Sequence, residues 1–143
     1  MLLKVYYLIS TLLIPFYSIY IKRRISFKKE DQDRFSERYG KPSTVRKNGD
    51  LIWIHAASVG ECLSALPIIT EIEKITSVNQ ILLTSGTTSS ALILKDKLSP
   101  KTIHQYIPLD VPLFNDRFLK FWNPKCAIFI ESEIWPNLIF QIK

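Results

Sequence analysis

The sequence predicts an α/β fold with a Rossmann-like parallel sheet, and three observations support this prediction. From Leu51 onward, short apolar runs alternate with stretches of helical pattern. The apolar runs are rich in β-branched and aromatic residues and contain no regular polar alternation, which is typical of strands covered on both faces. Each run ends in small, polar or acidic residues, as at the ligand-binding edge of an open α/β sheet.

The predicted strands and helices follow one another along residues 51–143. The strands are LIWIHAAS, QILLTSG, TIHQYIPLD and KCAIFIES, and the first helix runs from Val59 to about Ile75. The later helices are TTSSALILKDKL, DVPLFNDRFLKFW and the segment around IWPNLIFQIK. Because the carboxyl ends of parallel strands meet at one edge, their polar residues predict one shared site. A sheet of four strands is small, so we expect residues 51–143 to form only part of a domain.

The N-terminal segment Leu2–Tyr20 is apolar apart from Lys4. As one helix it would be about 28 Å long, close to the roughly 30 Å of a bilayer core, although Pro15 would kink it. We therefore predict a membrane anchor helix over residues 1–21, which either spans the bilayer or lies in its interface. A cleavable signal peptide is disfavoured because the apolar stretch is long, the charges follow it and no A-x-A-like site is present.

A basic cluster follows the apolar segment, and the chain has a net charge of +6. By the positive-inside rule these cations place their side of the anchor in the cytoplasm, where they can bind anionic headgroups. Nucleic acid would satisfy the same charges, but zinc-finger spacing and a basic helix are missing from the sequence, so nucleic acid is not predicted as a partner. The cluster comprises Lys22, Arg23, Arg24, Lys28 and Lys29.

Residues 22–50 form a predicted charged connector. Ser26 is a candidate N-cap, and Gly40 followed by Pro42 would end the helix that Ser26 begins. Most charges of this connector are expected on a solvated face.

The cysteines and histidines do not have metal-ligand spacing, so no metal site is predicted. Cys62 and Cys126 are expected to be buried, reduced thiols, and His55 is expected to be a core histidine with a satisfied hydrogen bond.

The segment Ser58-Val59-Gly60-Glu61 allows two interpretations. Ser58 and Glu61 have the spacing of a capping box at the start of a helix. Alternatively, Glu61 is a general base whose pKa is raised by burial, and Gly60 allows a ligand to approach closely. The residues alone leave both interpretations open.

The turn Thr84-Ser85-Gly86-Thr87-Thr88 superficially matches the phosphate loop of adenylate-forming enzymes. The glycine, proline and lysine that complete that motif are replaced by Ser89-Ser90-Ala91-Leu92. Neither a Walker sequence nor GxGxxG is present, which disfavours a nucleotide-binding Rossmann protein. The turn is predicted to cap its helix.

Glu131 and Glu133 lie two residues apart at the end of the fourth predicted strand. In a continuing strand both carboxylates would point to the same side, which is a common catalytic arrangement. They would equally favour the N-terminus of a helix that begins near Pro136.

Five segments together resemble a known family. WIHAASVGE, TSGTTSS, QYIPLDVP, RFLKFWNPK and IESEIWPNL occur in an order and spacing that resemble the N-terminal domain of 3-deoxy-D-manno-octulosonic acid (Kdo) transferases. The resemblance extends over essentially the whole chain, and SVGE and ESEIWPNL are its most specific parts. It implies an inverting, metal-independent glycosyltransferase of the two-domain GT-B type, without a cofactor.

The resemblance also implies the roles of individual residues. Glu61 falls on the family's catalytic glutamate, and Glu131 falls on a second functional glutamate. Substrate-binding roles are expected for Ser58, Gly60, Thr84 and Ser85, and for Lys22, Arg23 and Arg24 near the phosphates of the acceptor lipid. The TSGTTSS turn departs from the family pattern at Ser89, where relatives often carry threonine, glycine or arginine.

The implied partners are lipid A precursor as acceptor and CMP-Kdo as donor, at the cytoplasmic face of the inner membrane. The donor-binding C-terminal domain is not in this sequence, so activity is expected to require a complementing polypeptide. The alternative is a non-catalytic, membrane-associated remnant that binds phosphorylated lipid.

Overall fold

The computed structural model describes residues 2–131 and 134–142. Its contacts divide the chain into two compact units. The helical unit comprises Met1–Ser43, Pro108–Phe121 and Ile134–Lys143, and the sheet unit comprises Thr44–Ile107 and Trp122–Glu133.

The sheet unit contains the predicted parallel sheet. Its strands are β1 (Asp50–His55), β2 (Val78–Ser85), β3 (Thr102–Tyr106) and β4 (Cys126–Phe129), and helices α3 (Val59–Glu73) and α4 (Thr88–Leu94) follow β1 and β2. All strand pairs are parallel, and His55 of β1 lies between Thr84 of β2 and Phe129 of β4. The predicted α/β fold is confirmed. Helix α4 is shorter than predicted because the amide of Lys97 bonds back to the carbonyl of Leu94 and closes a turn.

The strand order is β3-β2-β1-β4. The chain passes from β1 to β2 and β3 on one side, and β4 then pairs with the opposite side of β1. The strand order therefore reverses between β1 and β4. Open α/β sheets bind ligands beyond the carboxyl ends of their strands at such a reversal.

One face of this sheet packs against α3 and α4. Ile54 and Leu83 of the sheet contact Cys62 and Ile69 of α3, and each is at most 3% exposed. Full burial of an aliphatic side chain of this size contributes about 1.5–3 kcal/mol to folding. Cys62 is therefore a core thiol, as predicted, whereas Cys126 is exposed on the edge strand β4 and the expectation of its burial is wrong.

The helical unit begins with two helices instead of the single predicted one. α1 (Leu2–Leu12) and α2 (Ile14–Ser26) meet at a 66° bend. Pro15 lies in the first turn of α2, where its missing N–H costs no hydrogen bond. In the middle of one continuous helix the same proline would remove a hydrogen bond and interrupt the helix. Within the described residues no single helix has the length and apolarity needed to cross a membrane, and only this bent pair passes by length and composition.

The connector differs from its prediction. Ser26 is the last residue of α2 and its hydroxyl donates to the carbonyl of Arg23, so it is not the N-cap of a new helix. A short 3₁₀ helix, Phe35–Tyr39, ends at Gly40 with a φ of +71°, as the glycine predicts.

Most charges of the connector are exposed or partly exposed, as expected, but three of them are buried. Glu30, Glu37 and Arg38 are at most 6% exposed. Arg38 Nε lies 2.8 Å from Glu30, and Arg34 binds Glu37 through two bonds of 2.9 and 3.0 Å. Buried charges persist because each has a partner of opposite sign.

The helical unit also contains helices α5 (Pro112–Trp122) and α6 (Pro136–Gln141), although Trp122, the last residue of α5, belongs to the sheet unit. The buried carboxylate of Asp110 joins distant segments of this unit. Asp110 accepts hydrogen bonds from the amides of Asn137 and Leu138 at 3.1 and 2.9 Å. These are the second and third residues of α6, so Asp110 caps that helix from 27 positions away. The side chain of Asn115 donates to the same carboxylate at 2.8 Å.

Helix α1 takes part in the same network. Tyr6 Oη donates to Asp110 at 3.1 Å, and the side-chain amide of Asn137 donates to Ser10 Oγ at 3.0 Å. Burial and the neighbouring Asp110 carboxylate raise the pKa of Tyr6 to about 12. The polar side of α1 therefore forms hydrogen bonds with side chains elsewhere in the helical unit.

Replacing Asp110 should destabilise the protein far more than replacing Tyr6. Asp110→Ala leaves three buried donors without an acceptor, and we expect a loss of at least about 3 kcal/mol of unfolding free energy. Tyr6→Phe removes one of four bonds and should cost about 1 kcal/mol. Urea unfolding of both variants measures the difference, and equal losses would contradict the assigned network.

Candidate functional site

Glu61 lies in the first turn of α3, directly beyond the carboxyl end of β1. Its Oε2 accepts from the amide of Ala57 at 2.8 Å, and its Oε1 accepts from the hydroxyl of Ser58 at 2.6 Å. The Ser58 Oγ in turn accepts from the Glu61 amide at 3.3 Å. The predicted capping box is therefore present, and its carboxylate is fixed in one orientation.

The pKa of Glu61 is lowered, so the expectation that burial raises it is wrong. Burial alone would raise it, but the hydrogen bonds from Ser58 and Ala57, together with nearby His55, outweigh this effect. The carboxylate is consequently ionised at neutral pH. It can accept a proton, but in this arrangement it is a weak base.

A polar cluster lies inside the sheet below this site. Thr84 Oγ1 accepts from Trp53 Nε1 at 2.9 Å and lies 2.9 Å from His55 Nδ1. His55 is 1% exposed and thus has the core position expected of it. Thr84 is fully buried, and the contacts of its hydroxyl link β2 to β1.

Ser85 is also fully buried, and its hydroxyl lies 2.8 Å from Nε2 of His104. No local motif in the sequence points to His104, because only the register of β2 with β3 brings it close to Ser85. Thr84 and Ser85 are thus buried at the carboxyl end of β2, and their substrate-binding roles remain predictions.

The turn after β2 is fastened to the loop that carries Ser58. The Gly86 amide donates to the carbonyl of Ala57 at 3.0 Å, and a Cβ at Gly86 would lie 3.1 Å from that oxygen. Thr87 caps α4 by accepting from the amide of Ser90 at 3.1 Å, which confirms the predicted cap. Gly60, in contrast, has open space where its Cβ would be.

Glu131 lies directly after β4, at the other side of the strand-order reversal from Glu61. The amide of Ile130 donates to the carbonyl of His55 at 2.8 Å, which holds this end of β4 beside β1. Glu131 is exposed and has a φ of +67°, a strained conformation for a residue with a side chain. Such strain is concentrated at functional sites. Ser132 and Glu133 lie outside the described residues.

The predicted basic residues lie at the end of α2, in the helical unit. Arg24 binds Glu30 at 2.9 Å and the carbonyl of Lys29 at 2.9 Å, so internal contacts use much of its guanidinium. Lys22 and Arg23 are exposed, and Arg23 lies over the ring of Phe27. Across residues 2–131 and 134–142, no group of three histidine, cysteine or acidic side chains is arranged to hold a metal ion.

Comparison with known proteins supports the resemblance found in the sequence. The family model described as 3-deoxy-D-manno-octulosonic-acid transferase (kdotransferase) matches residues 33–143. The chain belongs to this family. The matched region includes the Glu61 capping box and Glu131.

Three relatives illustrate the similarity. A Rickettsia bellii 3-deoxy-D-manno-octulosonic acid transferase is 44% identical over 96% of this chain. An Arabidopsis thaliana protein named as a probable mitochondrial 3-deoxy-D-manno-octulosonic acid transferase is 42% identical over 87%, and a Haemophilus influenzae transferase is 37% identical over 78%. The matches cover 33%, 28% and 26% of these relatives, so the chain spans about a third of their length or less.

The capping box predicts separate effects of its two side chains on stability. Ser58→Ala removes the N-cap and should cost about 1 kcal/mol at neutral pH. Glu61→Gln should cost less there, because glutamine is accepted at the same position of the box.

The pH dependence of stability should identify the ionised carboxylate. A lowered pKa stabilises the fold above the unfolded value, about 4.5, and this contribution is lost as the pH falls through the folded value. Thermal midpoints recorded from about pH 6 to about pH 3 should therefore fall less steeply for Glu61→Gln than for the unmodified chain. Identical slopes would show that Glu61 has no lowered pKa.

Proposed function

We propose that this chain is the acceptor-binding part of an inverting Kdo transferase of the GT-B type, with Glu61 as its general base. The observation that carries the proposal is the position of Glu61 and Glu131 on the two sides of the strand-order reversal, where sheets of this class bind ligands. The family match over residues 33–143 supports the same reaction class.

In the proposed reaction, a hydroxyl oxygen of lipid A precursor attacks the anomeric carbon of Kdo. The bond from that carbon to the phosphate oxygen of CMP breaks with its electron pair, and the hydroxyl proton passes to Glu61. General-base assistance of this kind contributes about 10²–10⁴-fold. The open space at Gly60 would admit the acceptor sugar.

The bond between Ser58 and Glu61 indicates where an acceptor hydroxyl would bind the base. The Ser58 hydroxyl occupies Oε1 of Glu61 and contributes to its lowered pKa. An acceptor hydroxyl that takes the place of the serine would donate to Oε1, so that its proton already points at the carboxylate that receives it. Glu131, exposed at the end of β4, would contact substrate from the other side of the reversal.

We further propose that α1 and α2 attach the chain to the cytoplasmic face of the inner membrane by lying in the interface. Leu2, Leu12, Phe16 and Ile19 are 62–86% exposed, and apolar side chains grouped at the surface of neighbouring helices are typical of a membrane-binding or protein-binding site. The cations at the end of α2 would bind anionic headgroups.

The contacts of α1 favour lying in the interface over spanning. A spanning arrangement would carry the bond between Tyr6 and Asp110 into hydrocarbon, where a carboxylate is costly. An interfacial helix keeps this polar side on the protein and places its apolar side in the acyl chains.

Activity should require Glu61. The chain would be combined with the C-terminal remainder of the Rickettsia bellii relative, and transfer from CMP-Kdo to lipid A precursor would be followed by mass. Glu61→Gln should lower turnover at least about 10²-fold, while Ser58→Ala, which retains the Glu61 carboxylate, should lower it much less. We expect no turnover by the chain alone. Near-normal turnover of the reconstituted Glu61→Gln enzyme would refute the catalytic assignment.

Membrane binding should depend on the exposed apolar side of α1 and α2. The triple variant Leu12→Ser/Phe16→Ser/Ile19→Ser should lose flotation with anionic vesicles, because its apolar contact with lipid is removed. The matched control, Ile75→Ser/Leu92→Ser, changes exposed apolar residues of the sheet unit and should float normally. Equal flotation of both variants would contradict attachment through α1 and α2.

A further inference from the structure

A shallow cleft of about 550 Å³, widely open to solvent, lies in the helical unit between the turn after the 3₁₀ helix and helix α5. One wall is formed by Gly40, Lys41 and Pro42. The other wall is formed by Asp116, Arg117, Lys120 and Phe121 of α5. These four side chains share one side of α5, because Asp116 and Lys120 are four positions apart and Arg117 lies three and four positions before Lys120 and Phe121.

The turn that forms the first wall is pressed against the backbone of α5. A Cβ at Gly40 would lie 2.0 Å from the carbonyl oxygen of Phe114, and the positive φ of Gly40 independently favours glycine. The preceding Tyr39 packs edge-on against the ring of Phe114, with 5.3 Å between centroids. The turn is therefore held against α5 by contacts of the main chain and of aromatic rings.

Buried ion pairs hold the same turn from behind. Glu37 binds Arg34 and accepts from the hydroxyl of Ser43, and Arg38 binds Glu30. The carbonyl of Arg38 also accepts from the amide of Leu109 at 2.9 Å. These contacts hold the backbone of the turn that carries Lys41.

The cleft has an excess of positive charge. Lys41, Arg117 and Lys120 face a single carboxylate, Asp116, whose bond to Lys120 is 2.9 Å long and exposed to solvent. Exposed pairs of this kind are weak and can exchange partners. Within the part of the chain that the structure describes, Lys41 and Arg117 form no ion pair. Their donors are therefore available to an anion.

We propose that this cleft binds a phosphate monoester. A monoester carries nearly two charges at neutral pH and three acceptor oxygens, which suit one guanidinium and two ammonium groups. Phe121 and Pro42 offer an apolar wall to the group that bears the phosphate. Binding of a phosphate monoester in the cleft does not depend on the proposed membrane attachment. Only the idea that a lipid carries this phosphate rests on that attachment.

The test compares a monoester lipid with a diester lipid of the same surface charge. The full chain is titrated with phosphatidylcholine vesicles that contain either phosphatidic acid or phosphatidylglycerol. Arg117→Ala/Lys120→Ala should weaken binding to phosphatidic acid on the order of tenfold and leave binding to phosphatidylglycerol nearly unchanged. The matched control, Lys95→Ala/Lys97→Ala, removes two exposed cations of the sheet unit and should change neither.

A soluble ligand separates this proposal from membrane attachment. Glycerol 3-phosphate is titrated by calorimetry into the chain and into both double variants, whose thermal midpoints confirm folding. Weaker binding only in Arg117→Ala/Lys120→Ala supports the cleft even if no vesicle binds. Equal losses on both lipids, or equal behaviour of the two double variants with every ligand, would overturn the proposal.

Discussion

The parallel pairing of β1 on both of its edges is the constraint on which the sheet unit depends. Its carbonyl at His55 receives the amide of Ile130, and the amide of Ala56 immediately after it bonds to the carbonyl of Thr84. Because both neighbouring strands are bonded at this one end, the segments that follow them must emerge side by side. Glu61 and Glu131 therefore lie at the same carboxyl edge of the sheet, although they are 70 positions apart in the sequence. The site is a consequence of strand order more than of any local motif.

Local patterns predicted the features that depend on near neighbours in sequence. Apolar runs gave the four strands, Ser58 and Glu61 gave a cap, and Gly40 gave a helix end with positive φ. Each of these rests on backbone geometry or on bonds across three or four residues. The family resemblance then suggested a catalytic role for Glu61, which capping geometry alone could not separate from a purely structural one, and this role is a proposal.

Features that depend on distant residues could not be read in the same way. A local pattern does not show that Glu30, Glu37 and Arg38 are the buried charges of the connector, because burial depends on partners that arrive from other turns. The cap that Asp110 provides for α6 lies 27 positions from its helix. The pKa of Glu61 was expected to rise because burial was considered without the donors at Ala57 and Ser58. In each case a long-range or competing hydrogen bond decided the outcome.

Capping and catalysis by Glu61 are compatible when their magnitudes are compared. An N-cap contributes about 1 kcal/mol to a helix. General-base assistance of about 10²–10⁴-fold corresponds to roughly 3–5 kcal/mol of transition-state stabilisation. Breaking the bond between Ser58 and Glu61 during turnover would thus cost less than the base contributes. The bond from the Ala57 amide would remain and keep the carboxylate oriented while its other oxygen receives the proton. One side chain can therefore cap its helix in the resting protein and serve the proposed reaction.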